Sequence, residues 1–101
     1  MKTIEVTCVR IYLTEGEGHM SSLLGRLHDE EKVQGVTVFR GISGFGKSGK
    51  VHSSSLLDMS LDLPLVIEFF DTPQKVNNIL EHLHGDIEPG HIVSWPATLV
   101  V

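Results

Sequence analysis

Apolar and polar residues alternate from the start of the chain. Ile4, Val6 and Cys8 are separated by Glu5 and Thr7, a period of two that predicts a first strand over residues 3–13. After Cys8 the phase slips: Val9, Ile11 and Leu13 are apolar, with Arg10 and Tyr12 between them. The slip predicts either a bulge or a strand covered on both faces. Glu15 to Gly18 reads as a turn. From His19 to Lys32 the period lengthens, and Met20, Leu23, Leu24 and Leu27 recur at i, i+3, i+4, i+7, the stripe of a one-sided helix. Asp29, Glu30 and Glu31 crowd the negative pole of its macrodipole, which predicts fraying there.

A second strand is predicted from Val36 to Ser43, opened by Gly35, and a third over Leu65 to Phe70, after Pro64. The third is almost continuously apolar, as suits the middle of a sheet or an oligomer contact. Thr72 and Pro73 then read as N-cap and first position of a second helix, whose stripe is Val76, Ile79, Leu80 and Leu83 and whose stop is Gly85. The last strand, 91–101, contains Pro96 and is expected at an edge or with a bulge. The order β-α-β-β-α-β predicts an α+β, ferredoxin-like fold: a four-stranded antiparallel sheet with two helices on one face, as a single domain over residues 1–101. Val9, Ile11, Phe39, Val66 and Phe70 cannot all point towards those helices. The sheet's other face should therefore be buried in an oligomer, sheet against sheet.

A chain of 101 residues, 41% hydrophobic and 21% charged, has the usage of one globular domain, which excludes disordered and fibrous classes. Eight Lys and Arg against thirteen Asp and Glu give a formal charge of −5, contrary to the basic footprint of a nucleic-acid binder. The single Cys8 cannot close an intrachain disulfide. Glu5 stands where a secretory signal carries its apolar stretch, and no run approaches the ~18 apolar residues of a membrane span, so a cytoplasmic protein is expected.

The candidate chemistry lies between the second and third strands. Residues 44–61 form a connection far longer than the two to five or so residues a hairpin needs, and such loops bind or switch. Its first half holds Gly44, Gly46, Gly49, Lys47 and Lys50, which suits a phosphate: glycines let backbone N–H groups approach an anion, and lysines supply charge. A bend with a solubilising tip explains the same residues, and the spacing matches neither a Walker A loop nor Gly-x-Gly-x-x-Gly. Its second half, with Leu56, Leu57, Met59 and Leu61, is apolar.

Gly35-Val-Thr-Val38, Arg40-Gly-Ile-Ser-Gly-Phe-Gly46 and Asp62-Leu-Pro-Leu-Val-Ile-Glu68 resemble the PII-like family catalogued as domain of unknown function 190. The likeness runs over nearly the whole chain, from Arg10-Ile-Tyr12 and Glu15 to the last strand, and Arg-Gly-x-x-Gly-Phe-Gly is its specific part. It implies a homotrimer whose sheets line the interior and whose intersubunit clefts take an adenine nucleotide. It also implies a mobile loop that regulates a partner such as a membrane transporter or channel. Carried over by position, Thr37 is implied near the base, Gly44, Phe45 and Gly46 at the root of the loop, and Lys47 and Ser48 just beyond it. Glu88-Pro-Gly-His-Ile-Val93 resembles a phosphate loop with Gly90 retained and His91 in place of a lysine. Arg40, beside the loop, joins this ligand set, with an ion pair to Glu68 as its alternative role. The chain departs from PII proteins in lacking their third-strand lysine and C-terminal arginines. Each lost charge-assisted contact is worth about 1.5–3 kcal/mol, and micromolar affinity amounts to about 8 kcal/mol. The residues left suit AMP, ADP or a cyclic nucleotide better than ATP.

Two other readings use the same residues. Six histidines (His19, His28, His52, His82, His84 and His91) raise a divalent-metal site of the CutA-like trimers. Yet His82 and His84 diverge by about 200° on a helix, and zinc wants four converging ligands. Solvated helix faces explain them as well. A non-nucleotide interaction module, its loop fixed in the trimer, is the other. Catalysis is not indicated: His52 precedes Ser53–Ser55 without an orienting acid, and the chain reads as a non-enzyme.

Overall fold

A computed structural model describes residues 1–14, 19–46, 51–53 and 63–101. The elements are β1 (Thr3–Thr14), α1 (Met20–Gly25), a π-helical turn (Arg26–Glu30), β2 (Val36–Arg40), β3 (Ser43–Phe45), β4 (Val51–Ser53), β5 (Pro64–Asp71), α2 (Pro73–Leu83) and β6 (Ile92–Val100). Four strands form an antiparallel sheet in the order β2-β5-β1-β6. The predicted α+β, ferredoxin-like arrangement is the one observed, with β3 and β4 added as a separate two-stranded hairpin.

The two apolar strands, β1 and β5, occupy the middle of the sheet, as the near-continuous run in β5 requires. Their register runs without interruption from Thr7 opposite Asp71 to Thr14 opposite Pro64, and β1 pairs equally evenly with β6. No bulge therefore accompanies the phase slip at Cys8. Instead Val9, Ile11 and Leu13 join Leu65, Ile67 and Phe69 on the face covered by the helices, against Leu23, Leu27, Val76, Ile79 and Leu83. Cys8, Arg10 and Tyr12 occupy alternate positions on the other face, with Val66, Glu68 and Phe70 opposite. β6 is an edge strand, which accommodates Pro96, a residue with no N–H to donate.

Local chemistry sets the element ends. Thr72 has extended backbone, its hydroxyl accepts from the Lys75 N–H at 3.4 Å, and Pro73 follows as the first helical residue. The first helix differs from its expectation. Its last turn widens into the π form, and Lys32, at φ 55°, ends it. The acidic cluster there is tied down instead of fraying: Glu31 accepts from the His82 ring at 2.9 Å, and Arg26 pairs with Glu30 and Asp86. The second helix ends at Leu83, and the left-handed glycine in the turn that follows is Gly90 (φ 89°), not Gly85.

The predicted second strand, 36–43, is two strands. The chain leaves the main sheet at Gly41, whose N–H donates to the Pro64 carbonyl at 2.7 Å, and Ser43 begins β3. A Cβ on Gly41 would stand 2.8 Å from Cγ of Pro64, so the close approach requires glycine. The connection 44–61 thus holds strand pairing of its own, Gly44 lying opposite His52. Its apolar half, with Leu56, Leu57, Met59 and Leu61, lies outside the described residues.

Candidate functional site

The antiparallel sheet brings the ends of β1 and β2 and the starts of β5 and β6 to one end of the molecule. There the chain encloses a hollow of about 370 Å³. Arg40, Gly41, Gly44, Phe45 and Gly46 form one wall, and His91 belongs to the other. Tyr12, Phe39 and Pro64 line it between them. Five of the residues expected to bind a ligand, Arg40, Gly44, Phe45, Gly46 and His91, therefore converge, although His91 is far from the others in sequence. Gly90 adjoins His91 and supplies the left-handed turn before it. Thr37 is exposed in mid-β2, opposite Glu68, and does not line the hollow. Lys47 and Ser48 lie outside the described residues.

His91 is fixed by the backbone of β1. Its ring Nδ1 donates to the Tyr12 carbonyl at 2.8 Å, while the Tyr12 N–H donates to the His91 carbonyl at 2.9 Å. The His91 N–H closes the preceding turn on the Glu88 carbonyl at 3.3 Å, and its Nε2 faces Glu88 Oε2 at 3.5 Å. A second hollow, of about 300 Å³, lies on the helix side and shares the wall of Leu13 and His91. Leu23, Arg26, Asp86 and Glu88 line it. Glycine backbone, an arginine, an aromatic ring and a histidine around one hollow can hold a flat ring and an anion together.

The sheet's open face carries the second arrangement of interest. Glu68 is bonded to Arg10, not to Arg40: Arg10 Nε donates to Glu68 Oε1 at 2.7 Å. The register explains the exchange, because Arg40 stands opposite Leu65, whereas Arg10 and Glu68 are direct partners across β1 and β5. The Arg10 guanidinium lies between two rings, 5.9 Å from the centroid of Phe39 and 5.6 Å from that of Trp95. The hydrogen bond to Glu68 raises its already high pKa further. Around this pair Tyr12, Phe39, Phe70 and Val93 remain exposed by 38–47%. Beside it the thiol of Cys8 is pushed up, first by burial and then by the Glu68 charge, against the pull of Arg10. Sequence reading missed this group, since Arg10 could be joined to Glu68 only through a pairing 58 residues apart.

Among the described residues no three His, Cys, Asp or Glu side chains stand close enough to hold a metal ion. Nor is any described helix long and apolar enough to cross a membrane.

Comparison with known proteins places this geometry in a family. The family model DUF190, described as an uncharacterized ACR, matches residues 6–99, and the chain belongs to that family. A UPF0166 protein of Aquifex aeolicus (strain VF5) is 31% identical over 90 residues, covering 84% of this chain and 85% of its own. The fold is that of PII-like proteins. CPII of Thiomonas intermedia K12, a nitrogen regulatory PII-like protein solved with ADP, AMP and bicarbonate, superposes with a TM-score of 0.67 at 21% identity, over 99% of this chain and 91% of its own. A PII-like signaling protein of Thermus thermophilus superposes with a TM-score of 0.69 at 14% identity, over 100% of this chain and 93% of its own.

Proposed function

We propose that the protein is a PII-like, non-enzymatic regulator that senses an adenine nucleotide and acts on a partner protein through the segment 44–61. The observation that carries this reading is the hollow in which Arg40, Gly44, Phe45 and Gly46 meet His91 at one end of the sheet. CPII, of the same fold, was solved with ADP and AMP, which supports the ligand class. Thr37, Lys47, Ser48 and Gly90 complete the proposed site, with Thr37 contributing to the base from a cleft between copies. ADP, AMP and cyclic nucleotides are favoured over ATP because the charges for a triphosphate are thinned. The assembly is a homotrimer with the open sheet face inside, and exposed apolar residues around a charge-neutral Arg10–Glu68 pair support a partner that is another copy of the chain. The location is cytoplasmic and the target a membrane transporter or channel; no nucleic acid is bound.

Calorimetric titration with ATP, ADP, AMP and cyclic adenine nucleotides tests the reading. Micromolar binding of ADP or AMP is expected, lost in a Gly46→Asp variant that keeps its assembly state. No heat with any of them refutes nucleotide sensing and leaves an interaction module.

A further inference from the structure

The two hollows that share the wall of Leu13 and His91 differ in charge. The larger, at the end of the sheet, has Arg40 and no carboxylate among its described lining residues. The smaller, of about 300 Å³ on the helix side, has Asp86 and Glu88 against Arg26 alone. Nor is Arg26 spare. Its Nε faces Glu30 at 3.6 Å, Nη1 donates to Asp86 Oδ2, and Nη2 donates to the His82 carbonyl at 3.1 Å, so every guanidinium nitrogen already has an acceptor. Asp86 uses Oδ2 for that bond, which leaves Oδ1 without a partner among the described residues. The rest of the lining is largely apolar, from Leu13, Leu23 and Ile87, the first two being core residues.

We propose that the helix-side hollow is a second binding site, for a small organic cation: a primary amine on an apolar body. The ammonium lies against Asp86 and Glu88, and the hydrocarbon lies on Leu13, Leu23 and Ile87. Three carboxylates, those of Asp86, Glu88 and Glu30, stand against one permanent cation in and beside the hollow. An ammonium group brings three donors to these acceptors, whereas a phosphate or a carboxylate brings only further acceptors. The site is therefore not an extension of the nucleotide hollow, and it stands whether or not a nucleotide binds. A volume of about 300 Å³ is at the small end for ligand pockets and holds about ten non-hydrogen atoms at roughly 30 Å³ each. Asp86 is exposed, so its charge is screened and contributes little alone. Affinity comes from engaging the carboxylates and the apolar lining together.

The test is titration of the ¹⁵N-labelled protein with phenethylamine at about pH 7.5, where an alkyl amine is a cation, followed by amide chemical shifts. Saturable shifts should centre on Leu13, Ser22, Leu23 and Ile87, with Kd below about 1 mM. The neutral isostere 2-phenylethanol should bind about threefold or more weakly and the anion 3-phenylpropionate about tenfold or more weakly, while methylamine, which lacks the body, should not saturate. Asp86→Asn keeps an acceptor for Arg26 and should bind the amine about threefold to tenfold more weakly. Glu81→Gln removes the same charge from exposed α2 outside the hollow and should bind like the wild type. Ser22→Trp adds bulk to the lining from an exposed helix position; it should melt like the wild type and lose binding. No saturable shifts up to about 10 mM amine, shifts scattered over the surface, or equal binding of the amine and the anion would each overturn the site. So would equal losses in Asp86→Asn and Glu81→Gln, or a folded Ser22→Trp that binds like the wild type.

Discussion

The turn-off at Gly41 offers a graded test of how the hollow is built. A Cβ at Gly41 would meet Pro64 Cγ at 2.8 Å and the Pro64 carbonyl at 3.4 Å, at the residue whose own N–H holds that carbonyl at 2.7 Å. Ordinary contact would require the strands to part by several tenths of an ångström, stretching the bond and moving the wall 41–46 away from β5. A Cβ at Gly44 would meet the same proline Cγ at 3.3 Å, a tight but yielding contact, and one at Gly46 would find no described atom within 4 Å. Overpacking of this kind costs about 1–3 kcal/mol. Gly41→Ala should therefore lower Tm by about 4–8 °C for each kcal/mol lost in a domain of this size, and Gly44→Ala by less. Gly46→Ala should be neutral or slightly stabilising, through a less flexible unfolded chain. Melts by circular dichroism at one protein concentration, paired with ADP titrations, measure the series. Gly41→Ala should weaken ADP binding more than its stability loss explains, because the displaced wall lines the hollow. Equal stability and affinity at all three positions would refute the packing argument.

Two further predictions concern the open face. Arg10→Met leaves Glu68 among apolar residues without its guanidinium, so the proposed assembly should dissociate at higher concentration than the wild type by light scattering, while circular dichroism stays unchanged; an unaltered assembly state would remove the pair from the interface. Cys8 should alkylate more slowly than free cysteine at pH 8, because burial and the Glu68 charge raise its pKa and suppress the thiolate. Glu68→Gln should speed the reaction, and a slowing would reverse the sign assigned to that charge.

Much of the fold was legible because its causes are local. Periods of two and about 3.6 marked the strands and helices of the main sheet, and Thr72-Pro73 marked a helix start to the residue. Pro96 announced an edge because a missing N–H is intolerable between two neighbours. The error at 36–43 has a tertiary origin, since Gly41 turns away to meet Pro64, which no local pattern encodes. The fraying expected at Asp29–Glu31 failed for the same reason: His82, 51 residues on, supplies the partner for Glu31. Of the candidate site, the run Arg40 to Gly46 was visible as a motif, whereas its meeting with His91 depends on β1 carrying Tyr12 between them.

By itself the sequence determined that four strands and two helices form in the order β-α-β-β-α-β, which stripe of each helix is apolar and that one sheet face is left over. These follow from side-chain spacing and backbone propensity along a continuous stretch of chain. Only the tertiary structure decided that Val9 and Ile11 face the helices, that Arg10 takes Glu68, and that His91 closes a hollow begun at Arg40. Each of these depends on strand register, and register is fixed by the burial of the whole core at once. A one-residue slip would turn every side chain of a strand to the other face.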